Sequence, residues 1–276
     1  MNIFEVSQFK ARNGKSPLVM LTAYDAPTSQ IANNAGVDII LVGDSLAMVV
    51  LGYPDTLQLS LEEMQHHVAA VARPNPAPAI VADMPWMSYH SSVKKSVLNA
   101  AKLVRAGAQA VKIEGGKNRL KVIKALVDAE IPVMGHLGLT PQSINRFGDY
   151  NVQAKTIQSA KELLDDAEAI AEAGCFAVVL EAIPSLLAQI VTERLQVPVI
   201  GIGAGPYCDG QVLVFHDLVG FREGSVPKFV RKYTDLSLEA TNAVIQYAKD
   251  VRSGDFPSVE ETYYSKSLFS RQELLS

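Results

Sequence analysis

Asp38-Ile39-Ile40-Leu41-Val42-Gly43-Asp44-Ser45-Leu46 contains an unbroken apolar run, Ile39–Val42, that stops at a glycine, an acid and a hydroxyl. A short apolar run bounded in this way predicts a strand buried on both faces, as in a parallel sheet. Period-two alternation puts Ile40, Val42 and Asp44 on one face, which makes the acid the last member of an inward-pointing row. A capping role for Asp44, with Gly43 easing the turn, accounts for these residues equally well. The same arrangement recurs along the chain, and the recurrence separates the two readings.

Upstream, Pro17–Ala23 reads as a strand ending before Tyr24-Asp25, and a helix over about 26–34 is closed by Gly36. Downstream, Ser60 opens a helix with Glu62 and Glu63 in its first turn, where acids suit the dipole. His66 and His67 lie in that helix on different faces, which makes them packing or surface residues. Ala79–Asp83 is a strand that again ends in an acid, and 93–106 is a helix closed by Gly107. The strand Ala110–Glu114 places Lys112 and Glu114 on one face and turns Ile113 towards the helices. Strands over 131–136, ending in His136, and 176–181, ending in Glu181, flank a long loop and a helix at about 159–173. Residues 197–203 form the seventh strand. Both 211–215 and 228–231 qualify as the eighth, and the second is preferred because a helix over 236–251 follows it.

Strand and helix units alternating eight times predict an α/β chain with a closed parallel (β/α)8 barrel. Gly201-Ile-Gly203-Ala-Gly205 comes too late, with the wrong spacing, for a dinucleotide-binding turn. Residues 1–276 are expected to form one domain with an irregular tail from about 254. The 276 residues, 48% hydrophobic and 20% charged, supply ample material for a single core. A net charge of −4 lacks the basic footprint of a nucleic-acid binder. Cys175 and Cys208 cannot make a disulfide framework, and no apolar run approaches the roughly 20 residues needed to span a bilayer. Residues 1–14 lack the apolar centre of a signal peptide, so a cytoplasmic protein is expected.

In such a barrel, residues at the carboxyl ends of the strands line the catalytic mouth. Asp44, Asp83, Lys112, Glu114, His136 and Glu181 all fall there, and caps do not favour Lys, Glu or His. Carboxylates facing one cavity repel one another unless a cation joins them. Oxygen-only donors favour a hard divalent ion such as Mg²⁺. Lys112, beside Glu114, is placed to hold a substrate carboxylate or oxyanion, and Ser45 can serve the same anion. Glu181 is the candidate general base not spent on the metal. His136 is an acid/base group, an oxyanion donor or a packed structural histidine. The set suits enolisation of a 2-oxo acid.

Several ordered blocks resemble the ketopantoate hydroxymethyltransferase family: Met20-Leu-Thr-Ala-Tyr-Asp25, Leu41-Val-Gly-Asp-Ser-Leu46, Ala82-Asp-Met-Pro85 and Val111-Lys-Ile-Glu-Gly-Gly116. Gly135-His-Leu-Gly-Leu-Thr-Pro-Gln-Ser143, Leu180-Glu181, Pro198-Val-Ile-Gly-Ile-Gly-Ala-Gly205 and Asp209-Gly-Gln-Val-Leu-Val-Phe-His-Asp217 continue the match, which covers about 1–253. The resemblance implies a TIM barrel of the phosphoenolpyruvate/pyruvate-binding type. It implies transfer of a hydroxymethyl group from 5,10-methylenetetrahydrofolate to 3-methyl-2-oxobutanoate, giving 2-dehydropantoate through a Mg-stabilised enolate. Asp44, Asp83 and Glu114 match the family's Mg²⁺ acids, Ser45 and Lys112 its keto-acid contacts, and Glu181 its proton acceptor. Around the keto acid, the expected contacts are Asp44, Ser45, Asp83, Lys112 and His136. A homo-oligomer, a decamer by family resemblance, is implied as well. No motif marks the folate contacts. The runner-up is a Mg-dependent lyase or mutase of the isocitrate lyase/phosphoenolpyruvate mutase group, whose lyases carry a loop cysteine beside Gly-His that Gly135-His136 lacks. A metal-dependent metabolite-binding protein without activity is the reading from another class, and the spare carboxylate Glu181 counts against it.

Overall fold

The computed structural model describes residues 16–148, 151–222, 224, 227–264 and 270–276. The expectation for residues 1–14 lies outside them. Eight parallel strands close into a barrel in sequence order: β1 (Leu18–Thr22), β2 (Ile39–Val42), β3 (Ala79–Asp83), β4 (Ala110–Glu114), β5 (Val133–Gly138), β6 (Ala177–Glu181), β7 (Val199–Ile202) and β8 (Gly210–Leu213). This is a (β/α)8 TIM barrel.

Alternation along the strands sorts the apolar residues into two layers. Met20, Ile39, Leu41, Val81, Ala110, Met134, Val179, Ile200 and Val212 pack together inside the barrel. Ile40, Val42, Val111, Ile113, Val178 and Leu180 instead join the helical layer, where Met64, Val68, Leu103, Ile123, Leu126 and Ile170 are buried. The helix Leu61–Ala72 shows why local sequence suffices there. Ser60 and Glu63 form a reciprocal capping box, and Met64, Val68 and Val71 repeat at helical spacing on the buried side.

Two expectations are corrected. The eighth strand is Gly210–Leu213, paired with β1 and β7, while 227–230 is a turn closed by the Val230 N–H donating to Pro227 O at 2.9 Å. Residues 203–209 join β7 to β8 without a helix, so strict strand–helix alternation pointed past the true strand. Also, Ile40 and Val42 face the helices, not the barrel interior, and β2 ends before Asp44. Asp44 reaches the mouth because the chain turns after Gly43, not because it continues an inward row. The outward placing of Ile113 agrees with expectation.

The long loop after β5 contains a 3-10 turn, Pro141–Ser143, and a short helix, Ile144–Phe147. The helix Leu236–Ser253 buries none of its residues, and Val244, Ile245 and Tyr247 are exposed on it. On β1, the outward-facing Val19 is 52% exposed. Among the described residues, no helix is long and apolar enough to cross a membrane.

Candidate active site

The strand ends bring the acids together. Lys112 alternates with Ile113 and so points into the barrel, where its ammonium lies 2.8 Å from Asp83 Oδ1. Asp83 Oδ2 accepts the Asp44 N–H at 2.9 Å, which ties the turn after β2 to the end of β3. Asp44, Asp83, Lys112, Glu114 and His136 are each at most 5% exposed. Burial pushes the Asp44 carboxyl well above the usual carboxylate range, and the charges of Asp83 and Glu114 add to the shift. The reverse holds for Lys112. Burial alone would lower its pKa, but the surrounding Asp83, Asp44 and Glu114 carboxylates raise it, so it stays charged.

Gln142, on the 3-10 turn after β5, joins two of these acids. Its Nε2 donates to Asp44 Oδ2 at 2.8 Å and to Met84 O at 3.0 Å, and its backbone N–H donates to Glu114 Oε2 at 3.0 Å. The Tyr89 hydroxyl donates to Gln142 Oε1 at 2.8 Å and accepts the Glu114 N–H at 3.1 Å. Arg119 lies over the Tyr89 ring, 5.3 Å from its centroid. The side-chain amide is therefore fixed with Nε2 towards Asp44 and the Met84 carbonyl, while the backbone N–H of the same residue serves Glu114.

His136 sits between two carboxylates. Nδ1 lies 3.5 Å from Glu114 Oε1 and Nε2 lies 3.2 Å from Glu181 Oε2. Burial and the Lys112 charge oppose its protonation, but Glu114 and Glu181 outweigh them and hold its pKa up at about 9. Glu181 is more open, with 15% of its side chain exposed. Its backbone is clamped from β5. Gly138 has φ +91°, and a Cβ there would come within 2.2 Å of Glu181 O, so only glycine permits this approach. Ala182 follows with φ +47°, a strained turn of the kind found where a side chain is aimed at a site. Ser45 Oγ lies 2.8 Å from the Tyr24 hydroxyl, which burial keeps protonated.

Asp44, Ser45, Asp83, Lys112, His136 and Glu181 line a cavity of about 510 Å³ that also takes in Met48, Thr56, Arg222, Lys228 and Phe229. Thr56 Oγ1 is buried without a hydrogen-bond partner.

Asp83 Oδ1 and Glu114 Oε1 are buried, the first against the Lys112 ammonium at 2.8 Å and the second with His136 Nδ1 at 3.5 Å. Among the described residues, no three His, Cys, Asp or Glu side chains are gathered closely enough to enclose an ion. Mg²⁺ asks for less, since it is held by one or two carboxylates and completes its shell with water and substrate oxygens. The buried carboxylates of Asp44, Asp83 and Glu114 outnumber the one lysine among them, and an all-oxygen set of this kind fits that demand. Cys175 and Cys208 are free thiols, and burial raises both well above the thiolate range needed for a zinc ligand.

The family model of ketopantoate hydroxymethyltransferase matches residues 3–259. The chain belongs to this family. A relative from Ignicoccus hospitalis named 3-methyl-2-oxobutanoate hydroxymethyltransferase is 53% identical over 255 residues, covering 92% of this chain and 95% of that one. One of the same name from Syntrophobacter fumaroxidans is 51% identical over 263 residues, covering 95% and 93%. Among solved structures, 2,3-dimethylmalate lyase of the PEP mutase/isocitrate lyase superfamily aligns with a TM-score of 0.60 at 17% identity, over 99% of this chain and 94% of that one. Phosphonopyruvate hydrolase, solved with oxalate and Mg²⁺, aligns with a TM-score of 0.60 at 15% identity, over 93% and 92%. At that identity, the likeness speaks to the fold alone.

For this ketopantoate hydroxymethyltransferase family member, sequence reasoning named the charged residues at the strand ends and missed Gln142, Tyr89, Thr56 and the charged cavity residues Asp217, Arg222 and Lys228. Gln142 lies in one of the blocks that carried the family resemblance. A neutral amide in a loop, however, carries no charge or periodicity signal of its own.

Proposed function

We propose that the protein transfers a hydroxymethyl group from 5,10-methylenetetrahydrofolate to 3-methyl-2-oxobutanoate, giving 2-dehydropantoate. The observation that carries the reading is that Glu181 opens onto the cavity apart from the Asp44, Asp83 and Glu114 group, with His136 beside it. Asp44, Asp83 and Glu114 would hold one Mg²⁺, which when bound polarises the substrate's keto group and acidifies the neighbouring C–H. Lys112 neutralises the substrate's negative charge, and Ser45 contacts the same end. His136 contacts the substrate's polar end from the β5 side and balances the charge of Glu181. Glu181 Oε accepts the C3 proton. The C3 electron pair then forms a bond to the folate's methylene carbon as one of that carbon's two C–N bonds breaks, and a water oxygen replaces the second nitrogen. The two freed folate nitrogens take up the proton held by Glu181 and one proton of the water. A cytoplasmic location accords with such a reaction.

The test separates the two halves. The purified protein with Mg²⁺ and keto acid in D₂O should exchange the C3 proton without folate, and with methylenetetrahydrofolate it should form 2-dehydropantoate. Product formation with no keto-acid exchange under any condition would exclude Glu181-type enolisation, and failure of both would reject the reading.

The protein is further proposed to assemble as a homo-oligomer, with the decamer implied by family resemblance as its expected size and the tail from about 254 as part of the contacts. The exposed apolar side chains of Leu236–Ser253 and the open outer side of β1 support assembly, since large apolar surfaces of this kind mark interfaces. Light scattering gives the mass directly, and a monomer would reject the proposal.

A further inference from the structure

The cavity is larger than the small keto acid needs and falls in the size range that holds drug-sized ligands. Its floor carries the acids, Lys112 and Ser45. Its rim is built from the turn after β8, the segment that sequence alone reads as a strand. Gly203, in the glycine cluster that failed as a dinucleotide motif, has φ +63°, and a Cβ there would come within 2.6 Å of the Phe229 ring. Glycine at this position lets the 227–230 turn fold over the end of β7 and bring Phe229 and Lys228 to the cavity. Arg222 reaches the same rim, where it donates to the buried Asp217 carboxylate at 2.9 Å. That pair is balanced, and among the described residues Lys228 has no carboxylate partner, so the described part of the rim carries a net positive charge.

Resting on the activity proposed above, we infer that Phe229, Lys228 and Arg222 form the subsite for the aminobenzoyl-glutamate half of the folate. Phe229 offers a ring to the aromatic amide, and Lys228, with the outer face of Arg222, takes the glutamate carboxylates. Each added glutamate brings another carboxylate to the same rim.

Lys228 is exposed, so its replacement leaves the fold alone. Lys228→Glu should raise KM for methylenetetrahydrofolate by about tenfold, more for the triglutamate than the monoglutamate. An exposed charge lost without reversal, in Lys228→Ala, should cost about two- to fivefold. Lys228→Arg should restore the native value. The Lys228→Glu penalty should shrink as salt is added. Phe229→Leu should raise KM several-fold for both folates alike. In every variant, folate-independent exchange of the C3 proton should match wild type, because the keto-acid site is untouched. Unchanged KM in Lys228→Glu and Phe229→Leu, with exchange intact, would overturn the inference. So would an equal loss of exchange and of folate affinity. Absence of exchange in the wild-type protein would instead reject the reading of the activity itself.

Discussion

Glu181→Gln is expected to bind Mg²⁺ and keto acid as wild type does and to lose C3 proton exchange by about 10²–10⁴-fold, the usual contribution of a positioned base. A glutamine keeps an oxygen for His136 Nε2, 3.2 Å away in the native protein, so the change removes basicity and little else. Gly138 and the Ala182 turn fix the backbone on either side of the reacting group, which keeps the substituted side chain in place. His136 is the other group that can take a proton here. Held at about 9 by Glu114 and Glu181, it already carries one at neutral pH and is a poor acceptor. Proton NMR in D₂O without folate reads this step alone. Exchange at the wild-type rate in Glu181→Gln would assign the base elsewhere, with His136 examined next.

Asp44→Ala and Asp83→Ala are expected to abolish activity by removing Mg²⁺ affinity while leaving the fold intact. In the native protein burial raises the Asp44 pKa, and the charges of Asp83 and Glu114 beside it raise it further. Deleting Asp44 relieves repulsion with Asp83 and Glu114, so metal-free Asp44→Ala should melt no lower than metal-free wild type. Metal-free Asp83→Ala should melt lower, because it leaves the buried Lys112 ammonium and the Asp44 N–H without their partner. The signature lies in the response to metal. At a hundredfold excess over Kd, Mg²⁺ should stabilise wild type by about 2.7 kcal/mol, on the order of 5–10 °C in Tm for a chain of this size. Neither variant should show the rise. Gln142→Ala, which keeps every acid but loses the amide that orients Asp44, should retain a response at roughly 10–100-fold weaker Mg²⁺ affinity, as for other groups that orient metal ligands. Calorimetric titration decides it, and undiminished affinity in Asp44→Ala and Asp83→Ala would place the metal on other residues.

Much of the barrel was legible in the chain because local signals carried it. Apolar runs of strand length ending in Asp, Glu or His placed five of the strands and the charged floor of the site. Capping residues such as Ser60, and terminators such as Gly36 and Gly107, bounded the helices. Lys112, Glu114 and Glu181 declared themselves by sitting where caps do not want them. The tertiary structure decided what depends on closure. Gly210–Leu213 is a strand because β1 and β7 lie on either side of it, and no local periodicity distinguishes it from the 228–231 segment. Asp44 reaches the mouth through a turn, and its direction comes from the hydrogen bond to Asp83, 39 residues away. Gln142 became part of the site only when the loop after β5 folded over the acids, 98 residues from Asp44. A strand with no periodicity of its own, a turned acid and a neutral amide each acquire their meaning from partners distant in the chain. A sequence read from its neighbours outward records residue type and periodicity, and the partners are supplied when the barrel closes.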